Sequence, residues 1–277
     1  HRIARRQRQM CIRDRKMSHQ IFQVDAFTSK LFSGNPACVV PLKNWLKDEV
    51  LLKIAVENAV AETAFFIDKG FEIELRWFTP DLEIDLCGHA TLATAHVLKS
   101  VLNHSMEPLI FNTQSGILKV HSKNNYYYLD FPTRKPHPAK LPIQIQNALN
   151  IQPTNVYKAR DYVLVYENEQ QIKEIKINRQ IFDTIDLDIG GVIVTAKGKE
   201  TDFVSRFFTP QATILEDPVT GSAHCSLIPY WSEKLSKNKL RAKQLSVRGG
   251  DLICENLADR VLIGGQAKLY FSGKFSL

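Results

Sequence analysis

The sequence predicts an α+β protein whose two halves, similar in design, face each other across one cleft. Three observations lead there. Arg76–His96, RWFTPDLEIDLCGHATLATAH, and Arg206–Cys225, RFFTPQATILEDPVTGSAHC, both open on R-aromatic-F-T-P, and eleven residues after the Arg each reaches a residue with chemistry, Cys87 in one and Asp217 in the other. In each copy an apolar run leads in, a Pro ends it, and a Gly-containing turn opens an Ala-bearing, helix-like segment. Around both copies lie short alternating runs, as in a mixed sheet wrapped on a few helices.

The elements follow in order. Gln20–Phe27 alternates apolar and polar positions as a half-buried strand, Ser33–Pro36 is a turn, and Ala37–Pro41 is a second strand. Asp48 is placed to cap a helix running to about Val60. The chain then turns through Ala61-Glu62-Thr63 into the buried strand Ala64–Ile67, so Glu62 stands at the junction of two apolar elements, where a solvated helix-end carboxylate is the plainer alternative. Ile73–Phe78 is a strand, and Thr91–Leu102 is a helix apolar nearly all round, hence buried. Phe111–Val120 and Tyr126–Phe131 are further strands, and the proline-punctuated stretch from Pro132 to Pro142 marks a boundary between halves 18–131 and 132–277.

The second half opens with a short helix, Ile143–Leu149, and strands near Asn155–Ala159 and Tyr162–Tyr166. Gly190-Gly191 precedes the run Val192–Ala196, in the place that Glu62 holds in the first half, so acid–base work is expected to be asymmetric. Ser222–Leu235 is a helix in which Pro229 should cause a kink or restart. Gln244–Arg248, Val261–Ile263 and Ala267–Phe271 alternate as antiparallel strands.

Composition excludes several classes. A chain of 277 residues, 44% hydrophobic and 23% charged, can bury one large core or two modest ones. The net charge of +7 would suggest nucleic acid, but residues 1–17 hold seven Lys/Arg against one Asp and so carry +6 of it. That segment lacks the apolar core of a secretory signal, and the reading here is that it is extraneous and that the natural chain begins at Met17. No nucleic-acid partner is expected. Five widely spaced cysteines argue against a disulfide framework and for a reducing cytoplasm, and no apolar run approaches a membrane span.

A buried helix N-terminus offers unpaired N–H groups and partial positive charge, which suit a carboxylate or a developing enolate. His89 at such an end would be held neutral. Of Glu216 and Asp217, one should face the cleft and the other solvent; Thr220 and Ser222 read as helix caps, and the G-x-S-x-G elbow of a serine nucleophile is absent. With no dinucleotide fingerprint, P-loop or H-E-x-x-H, a site without cofactor or metal is expected.

These residues resemble the PhzF-like isomerases of phenazine biosynthesis, within the diaminopimelate epimerase-like fold. The likeness runs through Val24–Phe27, Gly34–Ala37, Glu62–Phe65, both long motifs, Pro229-Tyr230-Trp231, and Gln244–Gly250. It implies two pseudo-symmetric domains, each a curled, barrel-like mixed sheet around a central helix, commonly a homodimer. It further implies that Glu62 is the acid–base residue, that His89 and Asp217 orient a small carboxylic acid, and that Gly88, Gly221, Ser222 and Cys87 contact substrate. One carboxylate that takes a proton from one carbon and returns it elsewhere suffices for such an isomerisation. The alternatives are a silent small-acid binding or adaptor protein on the same fold and a racemase using Cys87, although Asp217 stands where a second thiol would be needed.

Overall fold

The computed structural model describes residues 18–188 and 190–277, so the segment read as extraneous lies outside the described residues. The first half contributes β1 (Ser18–Ala26), β2 (Asn35–Pro41), α1 (Asp48–Asn58), β3 (Glu62–Asp68), β4 (Ile73–Phe78), β5 (Glu83–Ile84), α2 (Gly88–His96), β6 (Leu109–Thr113), β7 (Gly116–Lys123) and β8 (Tyr126–Pro132). The second contributes β9 (His137–Pro138), α3 (Ile143–Ala148), β10 (Asn155–Lys158), β11 (Tyr162–Val165), α4 (Glu169–Glu174), α5 (Arg179–Phe182), β12 (Val192–Lys197), β13 (Phe203–Phe208), β14 (Glu216–Asp217), α6 (Gly221–Leu235), β15 (Lys239–Gln244), β16 (Gly250–Asn256) and β17 (Arg260–Gly265), before β18 (Ala267–Ser276).

Strand pairing repeats the same pattern twice. β1 to β2 is antiparallel, β2 to β3 parallel, β3 to β4 antiparallel and β4 to β6 parallel, followed by the antiparallel pairs β6–β7 and β7–β8. The pairs β10–β11, β11–β12, β12–β13, β13–β15, β15–β16 and β16–β17 run in the identical sequence of directions. Antiparallel pairing of β8 with β17 joins the two copies, and β18 returns to pair with β1.

Each half curls around a helix that is nearly all buried. Gly88–Ala95 of α2 and Gly221–Ser232 of α6 are out of solvent, as their small and apolar residues allow. A single large core, from Phe22 to Ile263, contains residues of both halves, including Phe27, Leu92, Val219 and Ala223. Two smaller clusters lie on the outer faces, one under α1 and one under α3 to α5.

Several expectations are corrected. α1 begins at Asp48, with Lys47 as its N-cap and no side-chain cap, and it ends at Asn58, where Ala59 takes a left-handed φ of 50°. α2 starts at Gly88 rather than Thr91 and closes in a π-helical turn, Val97–Val101, which makes His89 its second residue. α6 is continuous through Pro229. A proline removes the N–H that would bond the carbonyl four residues back, and here that carbonyl, Cys225 O, accepts from the Arg134 N–H at 2.9 Å. Finally, the strand expected at Gln244–Arg248 ends at Gln244, and β16 follows where none was expected.

Candidate active site

The repeated R-aromatic-F-T-P motif has a mechanical role. Arg76 on β4 makes a two-pronged pair with Glu83 on β5, at 2.7 and 2.6 Å, and Arg206 on β13 does the same with Glu216 on β14, at 2.7 and 2.9 Å. Each guanidinium also lies over the phenylalanine two residues on, Phe78 or Phe208. The arginine therefore clamps the returning segment that leads into the central helix. Because Glu216 is taken by Arg206 and half-buried, it does not face solvent as expected, and Asp217 is the member of the pair turned to the cleft.

α2 and α6 meet N-terminus to N-terminus. A Cβ on Gly88 would lie 2.9 Å from the Gly221 Cα, and one on Gly221 would lie 3.0 Å from the Gly88 Cα, so only glycine permits this approach. The N-cap residues are Cys87 and Thr220, and neither side chain bonds to a helix amide; Thr220 gives its hydroxyl to Asp217 instead of capping. Both helices thus present uncapped first turns to the same place. Over them lies a cavity of about 460 Å3, lined by Glu62, Asp81, Glu83, Asp85, Cys87, Gly88 and His89 from the first half, and by Arg160, Thr213, Asp217, Thr220, Gly221 and Ser222 from the second. All seven candidate residues from the sequence are brought together there.

Glu62 is the first residue of β3, set there by the left-handed turn after α1 and by pairing opposite Ala37 of β2. Its Oε2 is 2.8 Å from His89 Nε2, yet the two are not aligned as a hydrogen bond, and both atoms are buried without a hydrogen-bond partner. Burial disfavours a charged His89, but Cys87 and Glu62 outweigh it and raise the pKa, against the expectation that the helix end holds the ring neutral. Cys87 contributes no charge near neutrality, because burial and the neighbouring Glu62 push its thiol up to about 11. That thiol lies 3.5 Å from His89 Nδ1, and the Asn35 Nδ2 lies 3.0 Å from the same nitrogen. In the neutral ring Nδ1 is therefore the acceptor and the proton sits on Nε2, facing Glu62.

Asn35 ties the halves together: its Nδ2 also lies 2.7 Å from Asp217 Oδ1 and 2.9 Å from the Val219 carbonyl, so its two hydrogens are shared among three acceptors. Flipping the amide would set oxygen against two acceptors, which fixes its orientation. Burial raises the Asp217 pKa; His89 and the donors Thr220 and Asn35 oppose that rise, and Glu62 adds to it. Gln244, fully buried at the end of β15, holds this segment by accepting from the Thr220 N–H at 2.9 Å and donating to the Asp217 carbonyl at 2.7 Å.

The second half also supplies Arg160, among the described residues the only Lys or Arg lining the cavity. It is forked onto buried Asp161 and donates to Ser222 Oγ at 3.1 Å. Burial works against its charge, but Asp161 outweighs that and raises its pKa. Glu62, Cys87 and His89 each place a donor atom within 4.8 Å of the others, a spacing that suits a metal ion. The thiol faces Nδ1 while Glu62 faces Nε2, however, so one ion could not take the same imidazole nitrogen toward both. Asn35, Arg160, Asp161 and Gln244 were not among the candidates from the sequence. Asn35 and Gln244 sit inside stretches that carried the family likeness, and that likeness was the signal pointing to them.

Two pseudo-symmetric halves of one continuous sheet, each curled around a central helix, with both helix N-termini at one cavity, define the diaminopimelate epimerase-like class of fold. The chain belongs to the PhzC-PhzF family, described as phenazine biosynthesis-like protein, which it matches over residues 24–273. It is 45% identical over 262 residues to a Pseudomonas aeruginosa protein named an uncharacterized isomerase, covering 94% of this chain and 100% of that one. It is also similar to the crystal structure of a PhzF family protein from Enterococcus faecalis, with a TM-score of 0.89 and 47% identity over 94% of this chain and 100% of that one. A predicted epimerase from Pseudomonas aeruginosa shares the fold, with a TM-score of 0.72 at 17% identity over 93% and 99% of the two chains. Among the described residues no helix is long and apolar enough to cross a membrane.

Proposed function

We propose that the protein is an isomerase that moves a proton within a small carboxylic acid, with Glu62 as both base and acid. The observation that carries this reading is the pair of buried, unpartnered atoms Glu62 Oε2 and His89 Nε2, 2.8 Å apart at a cavity ringed by two uncapped helix ends. Glu62 takes a proton from a carbon conjugated with the substrate's acid or carbonyl group. The C–H electron pair moves onto that oxygen as an enolate, which the His89 Nε2–H and the helix amides stabilise, and the same carboxyl returns the proton at another carbon. Asp217, half-buried and held by Asn35 and Thr220, orients the substrate. Cys87 does not serve as the base, since its thiol is protonated near neutrality and no second thiol faces it at Asp217.

The test is deuterium incorporation, followed by NMR, into a panel of amino, hydroxy and dihydroaromatic acids in D2O. Wild-type protein should place deuterium at carbon, and Glu62→Gln should slow exchange by about 10²–10⁴-fold, the usual contribution of a positioned acid–base group. Exchange undiminished in that variant would remove Glu62 from the mechanism.

A further inference from the structure

The twofold pattern of the fold shows what the second half supplies. In the first half a polar residue at the start of β2, Asn35, reaches the second residue of the central helix, His89, at 3.0 Å. In the second half the equivalent strand is β11, and Arg160, just before it, reaches the second residue of α6, Ser222, at 3.1 Å. The place of Glu62 at the start of β3 is taken by Gly191, just before β12. A Cβ there would lie 2.4 Å from the Phe207 ring and 2.8 Å from the Phe208 carbonyl, so no side-chain carboxylate can occupy it. The Gly191 N–H donates instead to Asp161 Oδ1 at 2.9 Å, and Asp161 in turn fixes Arg160. One half holds a base and an imidazole; its counterpart holds a guanidinium and a hydroxyl.

We propose that Arg160 and Ser222 form the anchor for the substrate's carboxylate, so that the second half holds the charge while the first half moves the proton. Arg160 uses Nε and Nη2 on Asp161 and Ser222, and its Nη1 makes no hydrogen bond among the described residues. Ser222 Oγ accepts from Arg160, which leaves its own hydrogen to donate elsewhere. The other ionisable groups of this kind lining the cavity, Glu62, Asp81, Glu83, Asp85 and Asp217, are all acidic, with Glu83 already paired to Arg76, so a substrate carboxylate is repelled by them and attracted by Arg160. The substrate is thereby turned with its acidic carbon toward Glu62. This anchor rests on the cleft being the site for a small acid, but not on proton transfer taking place.

The probe is benzoate against benzamide, which share a shape and differ in charge, titrated into 15N-labelled protein while the Gly221 and Ser222 amide signals are followed. Benzoate should shift both signals saturably, with benzamide at least about tenfold weaker, the contribution of one charge-assisted hydrogen bond. Arg160→Gln should lose that preference and Arg160→Lys should keep part of it. Because Arg160→Gln leaves Asp161 buried without its partner, Arg160→Gln/Asp161→Asn, which removes both charges, is measured beside it and should keep the native spectrum yet lose the preference. No saturable benzoate shift in wild type, an unchanged preference in the double variant, or equal loss of benzoate and benzamide would each overturn the anchor. Glu62→Gln separates the two proposals: benzoate binding that survives in it, with or without carbon exchange in the wild type, supports the anchor independently of the isomerase reading.

Discussion

Asp217 illustrates how a site residue works against the stability of its own fold. Burial raises its pKa, so between its ordinary value near 3.8 and its higher native value the folded chain binds more protons than the unfolded one. Stability from this group is present at low pH and is lost as pH rises through the native pKa. Asp217→Asn keeps an acceptor for Asn35 and removes the half-buried charge, so it should raise the melting temperature at pH 7 and leave it little changed near pH 3.5. It should also slow carbon exchange. Thermal melts of both proteins across that range check the claim, and a variant no more stable at pH 7 than the wild type would refute it. At this scale, the sequence made Glu62, His89 and Asp217 legible because they lie in repeated or motif-bearing stretches. Arg160 and Asp161 read as a turn between two strands, and nothing local says that Asp161 is 1% exposed or that its partner reaches residue 222.

The same limit appears at the scale of elements, where function inverts the usual hydropathy. The run Gln244–Arg248 alternates like a strand with Leu245 and Val247 inward, yet Gln244 is fully buried and Val247 fully exposed. Gln244 is inside because Thr220 and Asp217 need its amide, and no periodicity argument can anticipate that. The repeated motif, by contrast, was legible as a repeat, although its clamp was not, since the Glu lies seven residues after Arg76 but ten after Arg206. Arg206→Lys keeps the charge and loses the fork. It should cost about 1–3 kcal/mol and, by loosening β14, lower exchange more than Arg241→Lys, a change on the exposed side of β15. Gly221→Ala should do more harm than either, because its Cβ would meet the backbone of Gly88 at 3.0 Å and force the two helix ends apart. Urea denaturation and exchange rates of the three variants rank these effects, and an unaffected Gly221→Ala would show that the helix ends can separate without loss.

For the molecule as a whole, the shared core and the β8–β17 join imply that neither half can unfold alone, so calorimetry should record one transition. Acid should weaken it steeply. His96, at the end of α2, and His224, near the start of α6, are both held neutral by burial, with pKa values lowered to about 4. Unfolded histidine titrates near 6.5, so between pH 6.5 and about 4 the unfolded chain binds more protons and stability falls as the pH drops. Each histidine can contribute up to about 3 kcal/mol, since a tenfold change in proton affinity is worth about 1.4 kcal/mol, against a total that is commonly about 5–15 kcal/mol. Asp217 and His89, whose pKa values are raised, act in the opposite direction over part of this range. His224 Nδ1–H donates to the Thr220 carbonyl at 2.8 Å, and His96 Nδ1 meets the Tyr127 hydroxyl at 3.1 Å, so glutamine can serve both places without titrating. The double variant His96→Gln/His224→Gln should flatten the fall in stability between about pH 6.5 and 4.5 while keeping one calorimetric transition. A slope as steep as the wild type's would place the acid sensitivity elsewhere, and two transitions would mean that the halves fold independently despite their common core.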